Sequence, residues 1–358
     1  MKRWLFRWAL VLSVFGLCIA IARTSAAGTP SVIRMGYPGV GIANRPAASG
    51  SVTATMHLLG MLEDEFRKDG IRIEWTFLPT AGPGVNELFS NGLLDFSYLG
   101  DLPSVIGRSS GLHYRFLACG SVRGNSYVLV PPESQIQSVA DLRGRTVSVQ
   151  KGTAGHLMAL KILEKFGLEE RDVRLVNMDS NTAKSALITK SIDAAFGSYD
   201  WLALRDQGAG RIIYTTTGGD PNLTSNGSFI GSEDFIHEHP DLTERVVKVY
   251  VQAAKWLADN AANPSTIYRL WSKSGFTFAS LQEDWKGDDL KYRVSPLIDP
   301  YLVARYKLQI DESKRLRLTR RLFNFEDFVD TSFLSQALKD LKLENFWRPR
   351  GLDGNPTG

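Results

Sequence analysis

Residues 145–156, RTVSVQKGTAGH, decide the fold of this chain. The first five residues have the β-branched character of a strand, and residues 154–166 carry leucines at helical spacing. Between them lie Gly152, which would let a ligand approach the backbone, Thr153, whose hydroxyl would cap the helix, and His156, which supplies an imidazole. A strand–turn–helix junction points the first free N–H groups of the helix at whatever lies in front of it. The segment therefore predicts a place for an anion.

The alternation of strand and helix continues on both sides of this segment. Between residues 32 and 119 four strand-like runs, the first at 32–37, alternate with three helix-like runs, the first at 51–68. A second series between residues 127 and 215 includes strand-like runs at 127–130, 194–197 and 211–215. This alternation is typical of an α/β protein with mostly parallel sheets covered by helices.

Two polar, glycine-rich segments, residues 120–125 and 217–228, separate the two series. A strand-like run at 229–231 then returns toward the first series, and the remainder is largely helical. Two lobes joined by two hinge crossings, with a ligand cleft between them, are the expected result. The predicted boundaries are a signal peptide at 1–27, lobe 1 at 28–122, lobe 2 at 123–227, and a return to lobe 1 at 228–358.

The first 27 residues have the layout of a cleavable signal peptide, with Lys2, Arg3 and Arg7 before an apolar run and small residues after it. Cleavage is expected near Ala26 or Ala27, which predicts a periplasmic protein. An uncleaved anchor is the alternative, but the run is shorter than the ~20 residues that a membrane span needs. Removing the leader with its four basic residues leaves 38 basic and 38 acidic residues. A net charge of zero gives no global field for nucleic acid.

Signatures of catalysis and of cofactor binding are missing from the sequence. The five histidines show no metal-ligand spacing, and neither a G-x-S-x-G motif nor a phosphate loop is present. After the leader only Cys119 remains, so no internal disulfide is expected and this thiol is interpreted as a small buried residue. The sequence predicts no catalytic residues, no metal and no cofactor.

Two further junctions between a strand and a helix resemble the one at Gly152. Gly100 would allow a tight turn before Asp101, and Tyr199 would form an aromatic wall beside Asp200. Each aspartate is interpreted either as an N-cap or as a group that faces the cleft. Carboxyl ends of strands are where open α/β sheets bind ligands, so these junctions are expected to meet there.

The order of the motifs resembles a known family. The segments YLGDLPS, DLRGRTVSVQKGTAGH, DAAFGSYDW and NGSFIGSEDFIHEHPDL are similar to those of periplasmic binding proteins of ABC importers for aliphatic sulfonates, within the larger sulfonate, taurine and nitrate group. The resemblance implies a type II two-lobed periplasmic-binding-protein fold without catalysis. It also implies a monomer that captures a small organic anion and delivers it to an ABC permease at the inner membrane.

The junctions and the resemblance together give a predicted ligand site. Its residues are Tyr37, Gly100, Asp101, Gly152, Thr153, Ala154, Gly155, His156, Tyr199, Asp200, Asn226 and Ser228.

The ligand is less firmly indicated than the class of protein. Where the family carries three hydroxyls before the histidine, this chain has Thr153, Ala154 and Gly155, and where the family carries W-D-P it has Y-D-W. Asp101 and Asp200 either turn away from a sulfonate or bind an amine or hydroxyl of the ligand. Alternatives are nitrate, taurine or thiamin-precursor binding, and an enzyme of the thiamin-pyrimidine synthase type.

Overall fold

The computed structural model describes residues 28–357, so the predicted leader and its cleavage site lie outside the described residues. Ten strands are present in this part of the chain. In chain order they are β1 (Val32–Tyr37), β2 (Arg72–Phe77), β3 (Phe96–Gly100), β4 (Tyr114–Gly124), β5 (Tyr127–Val130), β6 (Thr146–Val149), β7 (Arg174–Asn177), β8 (Ala194–Gly197), β9 (Arg211–Thr215) and β10 (Ser225–Ser232).

Helices are interspersed with the strands up to β10, and after β10 they follow one another. They are α1 (Val52–Leu58), α2 (Met61–Phe66), α3 (Ala81–Ser90), α4 (Asp101–Ser110), α5 (Ala154–Lys165), α6 (Ser180–Ile188), α7 (Leu202–Asp206), α8 (Glu233–Glu238), α9 (Pro240–Asp259), α10 (Ser265–Trp271), α11 (Phe278–Asp284), α12 (Leu290–Arg293), α13 (Pro300–Arg315) and α14 (Ser332–Asp340). Short 3₁₀ helices include Val139–Leu142, Tyr199–Trp201 and Pro221–Leu223.

The strands form two five-stranded sheets with corresponding topology. The first, in lobe 1, has the order β2-β1-β3-β10-β4, and the second, in lobe 2, has the order β7-β6-β8-β5-β9. β1 runs parallel to β2 and β3, and β6 runs parallel to β7 and β8. β10 and β5 are antiparallel to both of their neighbours. Each antiparallel strand is the one that arrives from the other lobe, so the predicted α/β, two-lobed type II fold is confirmed.

The first glycine-rich segment interpreted as a break, residues 120–125, is mostly strand, whereas in the second only residues 225–228 are strand. β4 continues to Gly124, which pairs with Ser225 at the start of β10. The chain crosses between the lobes at residues 125–126 and 216–224, and the second crossing overlaps the predicted one. Gly120 and Gly227 allow the sheet to pack closely on Tyr98, because a Cβ at Gly120 would lie 2.7 Å from the Tyr98 ring and a Cβ at Gly227 would overlap that ring. Close packing on Tyr98, not flexibility, therefore requires glycine at these two positions, whereas residues 217–224 lie outside the strands as the predicted break did.

The core of lobe 1 lies between its sheet and the C-terminal helices. Tyr250 of α9 is fully buried, stacks on Phe229 with ring centroids 4.4 Å apart, and donates a hydrogen bond to the carbonyl of Cys119. Cys119 itself is buried, as its strand context predicted. A long amphipathic helix against a sheet face is the packing that the apolar spacing of α9 requires.

Helix α13 and the residues after it contact both lobes. Tyr306 packs in a cluster of lobe 1, whereas Leu316 and Leu318 pack against the core of lobe 2. Arg315 holds both carboxylate oxygens of Glu164 at 2.7 Å. Part of the segment predicted to belong to lobe 1 thus also contacts lobe 2. Within residues 28–357, none of the helices combines the length and the apolar character needed to cross a membrane.

Candidate functional site

A cavity of about 320 Å³ lies between the lobes. Its lining includes residues at or just after the carboxyl ends of the six strands that run parallel within the two sheets. For β1, β2, β3, β6, β7 and β8 these residues are Pro38, Ala81, Gly100, Gln150, Ser180 and Ser198. We call this the inner chamber. An adjoining outer chamber of about 250 Å³ shares several of these walls and is also lined by Tyr37, Tyr199 and Phe276. Carboxyl ends of strands from two sheets therefore meet at one cleft.

The first turn of α5 faces the inner chamber. Thr153, Ala154 and Gly155 line it. Thr153 occupies the N-cap position by its backbone, but its hydroxyl donates to the Gln150 carbonyl at 2.7 Å and does not cap the helix. The prediction of a side-chain cap was wrong because the turn carbonyl lies closer to the hydroxyl. The backbone at the start of α5 therefore faces the cavity without a side-chain cap.

Gly152 has φ +79°, a conformation that favours glycine. It does not line the inner chamber, contrary to the expectation that a ligand approaches its backbone. A Cβ there would lie 3.0 Å from Cγ of Pro83 in lobe 1. The glycine instead allows the two lobes to approach.

His156 is buried behind the first turn and is 5% exposed. Its Nδ1 accepts a hydrogen bond from the Gly152 N–H at 3.3 Å, and Nε2 has no partner among the described residues. Burial lowers the pKa of this imidazole. His156 does not line either chamber, so the predicted ring contact with the ligand is not supported by its position.

Asp101 at the start of α4 points away from the cleft and is fully buried. One carboxylate oxygen accepts from the Asn226 N–H at 2.6 Å and from Gln309 Nε2 at 2.7 Å, and the other accepts from the Leu102 N–H at 2.7 Å. Burial raises the pKa of this carboxyl, and these hydrogen bonds lower it in part. Gly100, not Asp101, is the N-cap residue. Asp101 therefore ties α4 to β10 and α13, and of this pair only Gly100 lines the cavity.

Asp200 lies on the wall between the two chambers. Its carboxylate accepts from the hydroxyls of Ser180 at 2.6 Å and Ser198 at 3.0 Å and from Lys184 Nζ at 2.5 Å. Ser198, not Asp200, precedes the 3₁₀ helix as its N-cap. Tyr199 lines only the outer chamber, where its hydroxyl lies 2.8 Å from Ser49 Oγ of lobe 1.

The remaining predicted residues divide between cavity and core. Tyr37 lines the outer chamber and stacks on Tyr98 at 5.4 Å. Asn226 lines the inner chamber. Ser228 is fully buried and donates to the Leu99 carbonyl at 2.9 Å, so it belongs to the sheet and not to the cavity.

Several lining residues were missed by sequence reasoning. Ser148 is fully buried, and its hydroxyl has no hydrogen-bond partner among the described residues. Gln150 lines both chambers and donates to the Pro79 carbonyl across the lobes at 2.9 Å. Ala81 lines both chambers with φ 55°. Applying the strand-end rule to β2 and β7 as well would have pointed to Ala81 and Ser180.

The electrostatics of the inner chamber come mostly from neutral groups. Among its described lining residues Asp200 is the one charged side chain, and Lys184 pairs with it. Helices α3 and α5 begin at the chamber and have no acidic residue in their first turns. Helix α6 also begins there, but the carboxylate of its N-cap residue Asp179 accepts from the N–H groups of Asn181 and Thr182. Helix N-termini carry partial positive charge and suit an anion. In residues 28–357, His, Cys, Asp and Glu side chains form no cluster of three that could hold a metal ion.

Two lobes around such a cleft define the chain as a protein with the two-lobed periplasmic-binding-protein fold. The profile of the NMT1/THI5-like family matches residues 66–264, just over half of the 358 residues. The chain belongs to this family.

Individual relatives agree with the resemblance seen in the motifs. A Bacillus subtilis (strain 168) protein named as an aliphatic sulfonates-binding protein is 27% identical over 285 residues, covering 78% of this chain and 83% of that protein. A crystal structure from Methylobacillus flagellatus KT, titled as a periplasmic sulfonate-binding protein SsuA of a sulfonate ABC transporter, has a TM-score of 0.73 and 28% identity. It covers 89% of this chain and 97% of that one. The predicted relationship to the sulfonate-type binding proteins is confirmed.

The same fold also occurs in an enzyme. The structure of the desulfurization enzyme DSZB has a TM-score of 0.63 with 17% identity, and the match covers 86% of this chain and 99% of that one. At this identity the likeness concerns the fold alone, so the chemistry of the cleft must decide between binding and catalysis.

Proposed function

We propose that this chain is an exported solute receptor of an ABC importer, which captures an aliphatic sulfonate or a similar small organic anion in the interlobe cleft. The observation that carries the proposal is the inner chamber, which receives the start of α5 and whose polar lining is neutral apart from Asp200. A sulfonate keeps its charge at any physiological pH and accepts hydrogen bonds in three directions. Neutral N–H and O–H donors can hold such an anion without a full positive charge nearby.

The size of the cleft suits a small ligand with a head and a tail. The inner chamber, with serine hydroxyls and the first turn of α5, would take the sulfonate head. The outer chamber, with Tyr37, Tyr199 and Phe276, would take the organic tail. Chambers of about 320 and 250 Å³ fall at the small end of the range for ligand pockets.

Binding without catalysis is supported by the groups that line the cleft. The described lining of both chambers includes neither histidine nor cysteine. His156, the imidazole that a thiamin-pyrimidine synthase mechanism would use, is buried with Nδ1 held by Gly152. Incubation of each bound ligand with the purified protein, followed by product analysis, should return the ligand unchanged.

Contacts between the lobes support capture by closure. Ser49 with Tyr199 and Gln150 with Pro79 join the lobes at the cleft. Hinge motion at the two crossings, residues 125–126 and 216–224, is part of the proposal, as are a monomeric state and export by a cleaved leader. The periplasmic relatives support export.

Ligand-induced stabilisation tests the proposal. Melting curves should be recorded with alkanesulfonates, sulfate, nitrate and thiamin precursors. An alkanesulfonate at 100 times its Kd should raise the free energy of unfolding by roughly 2.7 kcal/mol. Stabilisation by nitrate or a thiamin precursor, with no effect of any sulfonate, would contradict the proposal.

The Ser148 hydroxyl gives this test a residue-level control. Ser148→Ala removes a donor that the described protein leaves unpaired, so sulfonate affinity should fall by about 1.5–3 kcal/mol. The ligand-free protein should lose no stability. Ser191→Ala, at an exposed serine after α6, should bind like the wild type. Unchanged affinity of Ser148→Ala in calorimetry would remove this hydroxyl from the site.

A further inference from the structure

The carboxylate of Asp200 is the one negative group that a ligand in the inner chamber meets among the described residues, and it is already occupied. Lys184 Nζ and Ser180 Oγ bind one oxygen of Asp200, at 2.5 and 2.6 Å, and Ser198 Oγ binds the other at 3.0 Å. The side chains of Lys184 and Asp200 are only 16% and 12% exposed. This pair is therefore partly withdrawn from water, in contrast to a surface ion pair.

The position of Lys184 is fixed by its own element. Lys184 lies on α6, one turn after Ser180, and both side chains project toward Asp200. The ammonium also lies 5.7 Å from the centroid of the Trp201 ring, an arrangement that favours a cation at this point. The position beside Asp200 and the Trp201 ring thus favours a cation, and the ammonium group of Lys184 occupies it.

This arrangement bears on which sulfonates the cleft accepts. A free carboxylate on the chamber wall would repel a sulfonate and attract a ligand that also carries an ammonium group. With Lys184 in place the carboxylate is neutralised, so the repulsion is removed. A ligand ammonium would find the counter-charge of Asp200 taken. The other carboxylate of the cleft, Asp179 in the outer chamber, is also engaged, because it accepts from the N–H groups of Asn181 and Thr182 and from the Thr182 hydroxyl. The ammonium would therefore have to be desolvated without a free partner.

We propose that Lys184 is a specificity-determining residue, which occupies Asp200 and so selects sulfonates without a cationic group over amino-sulfonates. The proposal rests on the proposed function, because it concerns the substrate class of the same cleft. Lys184 lines the outer chamber and acts on the inner chamber through Asp200. A purely structural role would lower the affinity for both ligand classes alike and would not change their ratio.

Calorimetric titration with ethanesulfonate and with 2-aminoethanesulfonate measures that ratio. The two ligands differ by one ammonium group. The wild type should bind ethanesulfonate at least about tenfold more tightly, a difference of about 1.4 kcal/mol. Lys184→Met should shift the ratio of the two dissociation constants by about tenfold or more toward 2-aminoethanesulfonate, because Asp200 becomes free to bind the ligand's ammonium.

Two variants serve as partner and control. Asp200→Asn leaves Lys184 without its counter-ion, so ethanesulfonate should bind more tightly and 2-aminoethanesulfonate should not. This variant keeps the proposal testable if Lys184→Met folds poorly, which circular dichroism would reveal. Lys190→Met changes an exposed lysine of the same lobe that pairs with Glu133 on the surface, and it should leave the ratio unchanged.

The outcomes separate the two proposals. If the wild type binds alkanesulfonates but neither Lys184→Met nor Asp200→Asn changes the ratio, the specificity role is wrong and the receptor function stands. A wild type that already prefers 2-aminoethanesulfonate would also overturn the specificity role. If the wild type binds no sulfonate at all, the proposed function fails and the specificity role fails with it.

Discussion

The starts of α4 and α5 face each other across the cleft but direct their polar groups differently. Both helices follow a short strand, and a Cβ added at Gly100 would lie 3.1 Å from Cβ of Ala154. At α4 the carboxylate of Asp101 lies behind the turn and binds Gln309 of α13. At α5 the first turn contains no acid, and three of its residues line the cavity.

The difference shows what makes a helix start available to a ligand. A carboxylate in the first turn is itself an anion at the positive end of the helix, and it compensates the partial positive charge of the helix N-terminus. Asp101 fills that place at α4 and also accepts from the Leu102 N–H. α5 keeps its partial positive charge for a group from outside. The strand–turn–helix pattern identifies both starts, but only the position of an acid distinguishes their roles.

The largest expected effect comes from removing the acid of α4. Asp101→Ala would leave the Asn226 N–H and the Gln309 amide buried without their acceptor. The free energy of unfolding should fall by roughly 3 kcal/mol, since each unsatisfied buried group costs about 1–3 kcal/mol. Urea titration of the ligand-free protein measures this.

An exposed first-turn acid provides the control. Asp234 lies in the first turn of α8, and Asp234→Ala should cost less than about 1 kcal/mol. If Asp101→Ala is as stable as the wild type, the assignment of Asp101 to the link between α4, β10 and α13 is wrong.

The next largest effect concerns the turn before α5. Gly152→Val places a β-branched residue at φ +79° and brings it against Pro83 of lobe 1. Backbone strain of about 1–3 kcal/mol should lower stability, and the contact with Pro83 should in addition weaken ligand binding about tenfold or more by opposing closure.

Gly167→Val separates strain from closure. Gly167 has φ +72°, and an added Cβ would have no neighbour within 4 Å. This variant should lose similar stability but bind the sulfonate as tightly as the wild type. Equal affinities for the two variants would show that Gly152 has no role in closing the cleft.

A smaller effect is expected at Thr153. The Thr153 hydroxyl donates its hydrogen to the Gln150 carbonyl. Thr153→Ala should therefore remove the hydrogen bond that orders the turn and at most one weak ligand contact. Affinity should fall by about 0.5–1.5 kcal/mol, and Thr153→Ser should restore it. Calorimetry in which the serine variant is as weak as the alanine variant would exclude the hydroxyl as the cause.

The smallest effect is a pH dependence from His156. Burial holds its pKa below the ordinary value, with Lys151 lowering it further and Glu170 opposing the shift. The folded protein therefore favours the neutral ring, and stability should be full above about pH 6.5 and decline as the pH falls below that value. His156→Gln should flatten this decline in thermal melts, while His57, whose pKa is also lowered by burial, keeps part of it. An unchanged slope would assign the dependence to other groups.

The sequence predicted the fold well because the alternation of strands and helices is a local signal. β1, β5, β8 and β9 have the predicted bounds, and the cleft lies at the predicted strand ends. One error was local, because a glycine in the left-handed conformation interrupts a helix. Gly60, with φ +66°, divides the predicted helix at 51–68 into α1 and α2.

The candidate site was less predictable than the fold. Asp101, His156 and Ser228 carry suitable groups at suitable positions along the chain, but the packing of α13, the turn at Gly152 and the sheet turn them away from the cavity. Direction of a side chain at a strand end depends on partners that are distant in sequence. Ser148 and Lys184 could not be found from motifs for the same reason, since each matters through residues brought near by folding.

A crystal structure of the protein with ethanesulfonate tests the central claim most directly. The claim predicts the sulfonate oxygens within about 3 Å of the N–H groups of Ala154 and Gly155 at the start of α5, with the ethyl group toward the outer chamber. A sulfonate bound outside the interlobe cleft, or bound with its oxygens in the outer chamber and its ethyl group against α5, would contradict the claim.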